Sequence, residues 1–191
     1  MKSTTFMQIA FLVAQESKCC SWKVGAVIEK NDRIIATGYN GSPAGQPNCC
    51  DVAVEKGWAV RSGPTGQLKL VDVKRRMEHS AWSNKNEIHA ELNSILFAAR
   101  NGIISLEGST MYVTLSPCEN CSKMITQSGI KKIVYCEEYD QNSQGWSRIL
   151  VDAGIEVYKI DKSKLRLLNW EAMQTEPQFV ETVNNDEDYK D

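Results

Sequence analysis

Between Thr110 and Ile160 the chain alternates without a break between short β-branched runs and amphipathic stretches. "TMYVT" (110–114), "KIVYC" (132–136) and "EVYKI" (156–160) read as strands, and 118–128 and 144–153 between them read as helices. Strands alternating with helices bury themselves best as one sheet covered on both faces, so an α/β architecture is predicted. Upstream, residues 4–16 read as a helix, and "KVGAVIEKNDRIIATGYNG" reads as two strands joined by a tight Asn-Asp turn. Residues 89–101 read as a further helix whose buried face is Leu92, Ile95, Leu96 and Ala99. Residues 42–85 carry Gly, Pro and charge with no sustained period, and so long an irregular segment requires a lid or a metal staple to justify it. One domain over residues 1–172, with 42–85 as a stapled insertion, is the expected organisation. Residues 173–191 form an acidic, non-periodic and mobile tail in this reading.

Seven cysteines are many for such a chain, and they cluster as "CC" at 19–20, "CC" at 49–50 and "CENC" at 118–121. No apolar run is long enough to span a membrane and no signal segment opens the chain, so a cytoplasmic location is expected, where clustered thiols bind metal or catalyse rather than pair. Cys136, inside a strand pattern, reads as core. The net charge of -2 supplies no basic field for a polyanion, which argues against nucleic acid as a partner.

The chemistry concentrates at two short stretches. Cys118 and Cys121 stand three apart just after Pro117, so one helical turn turns both sulfurs the same way, and a helix N-terminus favours their thiolates. A Cys-x-x-Cys pair is half of a tetrahedral zinc site or else a redox motif. His89 offers a third ligand, and three protein ligands leave a coordination position open, as in catalytic zinc sites. Glu91 is the natural proton carrier beside that position. Residues two apart on a regular helix point away from each other, so both reach one metal only if His89 lies at the helix entrance. H-x-E followed by P-C-x-x-C is an established signature of zinc nucleobase deaminases.

"HAE" (89–91) and "PCENC" (117–121), preceded by "SKCCSWKVGAVI" (17–28) and "TGYNGSPAG" (37–45), resemble the deoxycytidylate deaminases, most closely those of T-even bacteriophages, from about Gln8 to Trp170. The resemblance is thin between Val54 and Arg75 and absent in the tail. It implies a cytidine-deaminase-like three-layer α/β/α fold with a five-stranded mixed sheet, and hydrolysis of dCMP to dUMP for thymidylate synthesis. His89, Cys118 and Cys121 match the catalytic zinc ligands and Glu91 the proton shuttle. Asn40 matches a sugar contact and Tyr139 a nucleotide contact. Ala90 and Ser116 are the candidates to read the base edge, and Ser21 and Lys23 to hold the 5′-phosphate. A second zinc, giving two per chain, is implied at Cys19, Cys49, His79 and Glu87, with Cys20 and Cys50 as rivals for the thiol roles. The resemblance further implies a homo-hexamer activated by dCTP, with Mg2+ as a companion of the nucleotide, and inhibited by dTTP. Effectors would act near Gly38–Gly45, and Arg100 would link subunits. A phage origin would place the enzyme in the host cytoplasm. The rival readings are a tRNA or DNA base deaminase, which needs a basic groove; a nucleoside deaminase, which usually holds zinc with three cysteines; and a non-catalytic zinc module.

Overall fold

A computed structural model describes residues 1–166 apart from 63, 65, 66, 104 and 140–144. Five strands form one mixed sheet in the order β2-β1-β5-β6-β7: β1 (Gly25–Lys30), β2 (Arg33–Tyr39), β5 (Thr110–Leu115), β6 (Lys132–Glu137) and β7 (Glu156–Lys159). β1 is antiparallel to β2 and β5, whereas β5, β6 and β7 run parallel. Asn31 and Asp32 turn the first hairpin with φ of 53° and 59°, the left-handed pair that a two-residue turn matching strand twist requires.

Side chains alternate across the sheet with period two. Val27, Tyr112 and Val134 face α1 (Ser3–Ala14), where Phe6, Met7 and Ala10 cover them, and Cys136 belongs to the same cluster as expected of a core residue. Ala26, Ile28, Met111, Val113 and Ile133 face the opposite layer, made by α4 (Ala90–Arg100), α5 (Glu119–Thr126) and α6 (Gly145–Asp152). The three-layer α/β/α architecture with a five-stranded mixed sheet is therefore present.

Two expectations fail. The buried stripe of α4 is Ala90, Glu91, Ser94 and Ala98, while Leu96 and Phe97 stay 48% and 49% exposed. The cause is close approach: a Cβ on Gly38 of β2 would meet Ser94 N at 2.4 Å and Ala90 O at 2.5 Å. Only small residues fit that helix–sheet contact, so the larger apolar residues turn outward.

Residues 42–85 are also not irregular. They fold into α2 (Cys49–Glu55), a hairpin of β3 (Ala59–Ser62) and β4 (Gln67–Leu70), and α3 (Val73–Asn86). Val52, Ala53, Trp58 and Ala59 form a satellite core here, with Cys20, Leu68 and Trp82 against it. α3 lacks an apolar period because local polar bonds hold it. Asp72 caps it by accepting from Arg75 N at 2.7 Å, and Trp58 Nε1 donates to Glu78 at 2.9 Å. The tail from residue 173 lies outside the described residues.

Candidate active site and metal centres

Two helix N-termini converge at the carboxyl end of β5. His89 is the N-cap of α4 with extended backbone (φ -69°, ψ 155°), so the helix becomes regular only after it. Cys118 is the N-cap of α5, and Cys121 follows one turn later, donating its N–H to the Cys118 sulfur at 3.5 Å. His89 Nδ1 lies 3.6 Å from Cys118 Sγ and 3.5 Å from Cys121 Sγ. Ligands bonded to zinc at about 2.3 Å for sulfur and 2.0–2.1 Å for nitrogen sit about 3.6 Å apart at the tetrahedral angle. The donor set fits zinc.

The charges agree with that geometry. The Cys118 thiol is pushed down to about 4, chiefly by its hydrogen bond from Cys121, and His89 is pushed up to about 9, chiefly by Cys118. The Cys121 thiol moves up through its bond to Cys118 and burial. A divalent cation bound here would displace the protons that the Cys121 thiol and the His89 imidazolium carry without it. Glu91, 4% exposed in the first turn of α4, has its carboxyl raised by burial and lies against Cys121. The condition that the sequence placed on His89 is met in the backbone.

A second cluster lies at the other end of the link Glu87–His89, around Glu87. Cys19, Cys49, His79 and Glu87 present donor atoms within 4.8 Å of one another. His79 Nε2 is 3.6 Å from Cys19 Sγ and 3.1 Å from Cys49 Sγ. The Oε1 atom of Glu87 is buried without a hydrogen-bond partner among the described residues, while Ser83 donates its hydroxyl to Oε2. An orphaned carboxylate oxygen beside two sulfurs and an imidazole fits a cation. Of the rivals, Cys50 turns its sulfur toward Asp51, and Cys20 donates its backbone N–H to Cys49 Sγ at 3.4 Å.

Both clusters border one cavity of about 700 Å³, whose wall also includes Ser21, Trp22, Asn40, Ala90, Ser116 and Tyr139. Asn40 is held on two sides, accepting from Val24 N at 2.8 Å and donating to the Trp22 carbonyl at 2.9 Å. Ser116 donates its N–H to the Glu137 carbonyl and accepts from Tyr139 N through its hydroxyl. Lys23, expected at the phosphate, is not among the residues of this wall, and its ammonium donates to the Gln15 carbonyl at 3.3 Å, with two further hydrogens left to donate. Arg100 is exposed in the last turn of α4, remote from the wall. Gly41 and Ile88 exchange backbone hydrogen bonds of 3.1 and 2.8 Å, tying the loop 38–45 to the residue before His89.

Residues 1–137 match the cytidine and deoxycytidylate deaminase zinc-binding region. The chain belongs to the cytidine and deoxycytidylate deaminase family. It is 61% identical over 187 residues to the deoxycytidylate deaminase of Enterobacteria phage T4, which covers 90% of this chain and 96% of that one. The deoxycytidylate deaminase of Mycobacterium phage D29 is 38% identical over 136 residues, 70% of this chain and 92% of its own. The solved dCMP deaminase of cyanophage S-TIM5, in complex with dCMP and dUMP, is similar with a TM-score of 0.62 at 33% identity, covering 84% of this chain and 99% of the other. Zinc is the cofactor of this family's binding region. Among the described residues, no helix is long and apolar enough to cross a membrane.

Three residues at these centres escaped the sequence reading. Ser83 lies four residues after His79 on the same face of α3 and four before the C-cap Glu87, a spacing that was there to be read. Trp58 stands edge-on to the His79 ring at 6.1 Å, and Trp22 edge-on to Tyr139 at 6.2 Å, contacts that no local pattern announces.

Proposed function

We propose that the chain hydrolyses dCMP to dUMP and ammonia, with His89, Cys118 and Cys121 holding the catalytic zinc and Glu91 moving the protons. One observation carries this reading: a buried carboxyl beside a three-donor set of tetrahedral spacing with one side open to the cavity. Bound zinc lowers the pKa of a water in its open position to roughly 7, which supplies a nucleophile at neutral pH. Glu91 takes a proton from the attacking water and passes it to the ring nitrogen next to the amino-bearing carbon. That protonation draws electrons from the carbon, which becomes tetrahedral as oxygen adds. The carboxylate, having given up that proton, takes the remaining one from the added hydroxyl and delivers it to the amino group, so the C–N bond breaks and ammonia departs as the carbonyl forms. A carboxyl raised by burial suits both directions of transfer.

Ala90, in the first turn of α4, offers a backbone N–H that no intrahelical carbonyl uses, and we assign it to the base edge together with the Ser116 carbonyl. Asn40 retains one lone pair on Oδ1 and one hydrogen on Nδ2 beyond its two backbone bonds, enough to meet a sugar hydroxyl. Tyr139 completes the nucleotide contacts, with Ser21 and Lys23 at the 5′-phosphate. Cys19, Cys49, His79 and Glu87 hold a second, structural zinc in this reading. The single-domain organisation, the homo-hexamer, activation by dCTP with Mg2+, inhibition by dTTP, an effector site near Gly38–Gly45, subunit linkage through Arg100 and residence in the host cytoplasm are proposed with it. The Gly41–Ile88 bridge supports the effector reading, because it joins that loop to the residue before a zinc ligand.

Ammonia release from dCMP, CMP and cytidine, measured on protein of known zinc content, tests the activity. Turnover of dCMP is expected to exceed that of the other two, and none with any of them overturns the reading. A dCMP saturation curve with dCTP and dTTP, beside a sizing measurement, tests the regulation. A hyperbolic curve indifferent to both, from a monomer, removes that part alone.

A further inference from the structure

Asn40 is 8% exposed and meets the cavity through its side-chain amide, so the aim of that amide depends on the backbone that carries it. dCMP offers it one free sugar hydroxyl, at the 3′ position, since the 2′ carbon bears none and the 5′ oxygen is esterified. Val24 holds the residue at two points: its N–H donates to Oδ1 at 2.8 Å, and its carbonyl accepts from Asn40 N at 3.1 Å. The Trp22 carbonyl accepts from Nδ2 at 2.9 Å. All three bonds reach Asn40 before its Cα–C bond. Beyond that bond comes the Asn40–Gly41 peptide plane, which none of them touches.

That plane is fastened at both edges. Its carbonyl accepts from the Ser17 hydroxyl at 2.8 Å, and its N–H, on Gly41, donates to the Ile88 carbonyl at 3.1 Å. Ser17 is a fixed post: its N–H donates to the Ala14 carbonyl at the end of α1, and the residue is 1% exposed. It takes no part in the cavity wall. Its hydroxyl oxygen also accepts from Cys19 N at 3.2 Å, so one hydroxyl joins the Asn40 carbonyl to the backbone of a donor in the second cluster. A buried hydroxyl costs free energy unless it is bonded. Here both of its bonds run to main-chain groups that lie outside any helix or strand.

We propose that Ser17 is a positioning residue for sugar recognition, whose hydroxyl locks the torsion between the Asn40 amide and the Gly41–Ile88 bridge. On one side of that torsion stands the amide that meets the 3′-hydroxyl. On the other, Gly41 is bridged to Ile88, the neighbour of His89. A bound nucleotide has its base at the His89 cluster and its sugar at Asn40, so the torsion that Ser17 fixes sets the spacing between the two. Freed of the Ser17 bond, Asn40 keeps its amide but no longer holds it at one distance from the base site. The proposal rests on the dCMP reading, with Asn40 as its sugar contact, and the test separates the two.

Turnover of dCMP by the unaltered chain examines the reaction. Ser17 is examined by binding alone, with calorimetry on the zinc-loaded protein. The two probes are dUMP and 2′,3′-dideoxyuridine 5′-monophosphate, which differs only in lacking the 3′-hydroxyl. The unaltered chain is expected to bind dUMP about tenfold more tightly, the yield of one well-made hydrogen bond. In Ser17→Ala that ratio is expected to fall to about twofold, through dUMP alone. Affinity for the dideoxy nucleotide and zinc content stay unchanged, which excludes a folding defect. Kinetically the loss appears in KM for dCMP and not in kcat, because the sugar contact is equally made before and during the reaction. Made on an Asn40→Ala background, Ser17→Ala is expected to lower the ratio no further, since its effect runs through that amide. An unaltered ratio in Ser17→Ala, equal losses for both nucleotides, or a further fall on the Asn40→Ala background overturns the proposal. Equal affinity of the unaltered chain for the two nucleotides removes the sugar assignment of Asn40, and the proposal with it, while leaving the reaction to its own assay.

Discussion

The two donor clusters use the same residue types and border the same cavity, yet they are built in opposite ways. The first draws its ligands from two short stretches, each at a helix N-cap, and leaves one side open. The second gathers Cys19 from a loop, Cys49 from the start of α2, His79 from α3 and Glu87 from the C-cap of that helix, and its four donors match a closed tetrahedral site. The first arrangement aims helix dipoles and an exchangeable position at a substrate. The second spans a long excursion of chain, from Cys19 to Glu87, with four donors that a tetrahedral cation would use in full. Openness, and not donor chemistry, separates a reactive centre from a clasp.

The sharpest way to break this contrast is Glu91→Gln. The amide keeps the shape and a hydrogen bond but accepts no proton, so dCMP turnover is expected to fall by about 10⁴ or more with zinc content unchanged. Activity within tenfold of the unaltered chain, measured on the same preparation as the metal, would sink the mechanism. His79→Ala attacks the other side. Metal analysis is expected to drop from about two zinc per chain toward one, and the unfolding temperature to fall by roughly 10 °C, with much less effect on kcat than Glu91→Gln. One zinc in undamaged protein would mean that the second cluster merely packs.

Gly38→Ala examines the floor common to both. An added methyl has only helix backbone to meet, so about 1–3 kcal/mol of stability is expected to vanish in denaturant titration, with α4 and its ligand displaced. Ser83→Ala removes the hydroxyl that orients Glu87, and chelator competition is expected to find the second metal bound about tenfold more weakly while dCMP kinetics hold. The smallest effect belongs to Cys50→Ser. Its sulfur faces Asp51, so two zinc should remain, and a loss of one would exchange the roles of Cys49 and Cys50.

Local patterns carried the five strands of the sheet and the helices outside residues 42–85, because each rests on periods or spacings shorter than one helix. "HAE" and "PCENC" disclose their chemistry within five residues. What escaped depends on approach between distant segments. The face of α4 was misread because Leu92, Ile95, Leu96 and Ala99 make a good apolar stripe. The true contact with Gly38 is too close for them and takes Ala90 and Ser94 instead. α3 was missed because its only sizeable apolar contact to the satellite core is Trp82, and its hold on the rest runs through polar groups.

Residues 87, 88 and 89 form an extended link in which Glu87 and His89 bracket Ile88, whose backbone is fastened to Gly41. In extended chain, residues two apart project to the same side, so the link turns both side chains toward one cavity with no slack between them. Filling either centre therefore restricts the backbone on which the other depends, and ordering paid once is not required twice. Metal uptake by the apo-protein is accordingly expected to be cooperative: the first ion raises affinity for the second, by a factor that is the same whichever centre fills first.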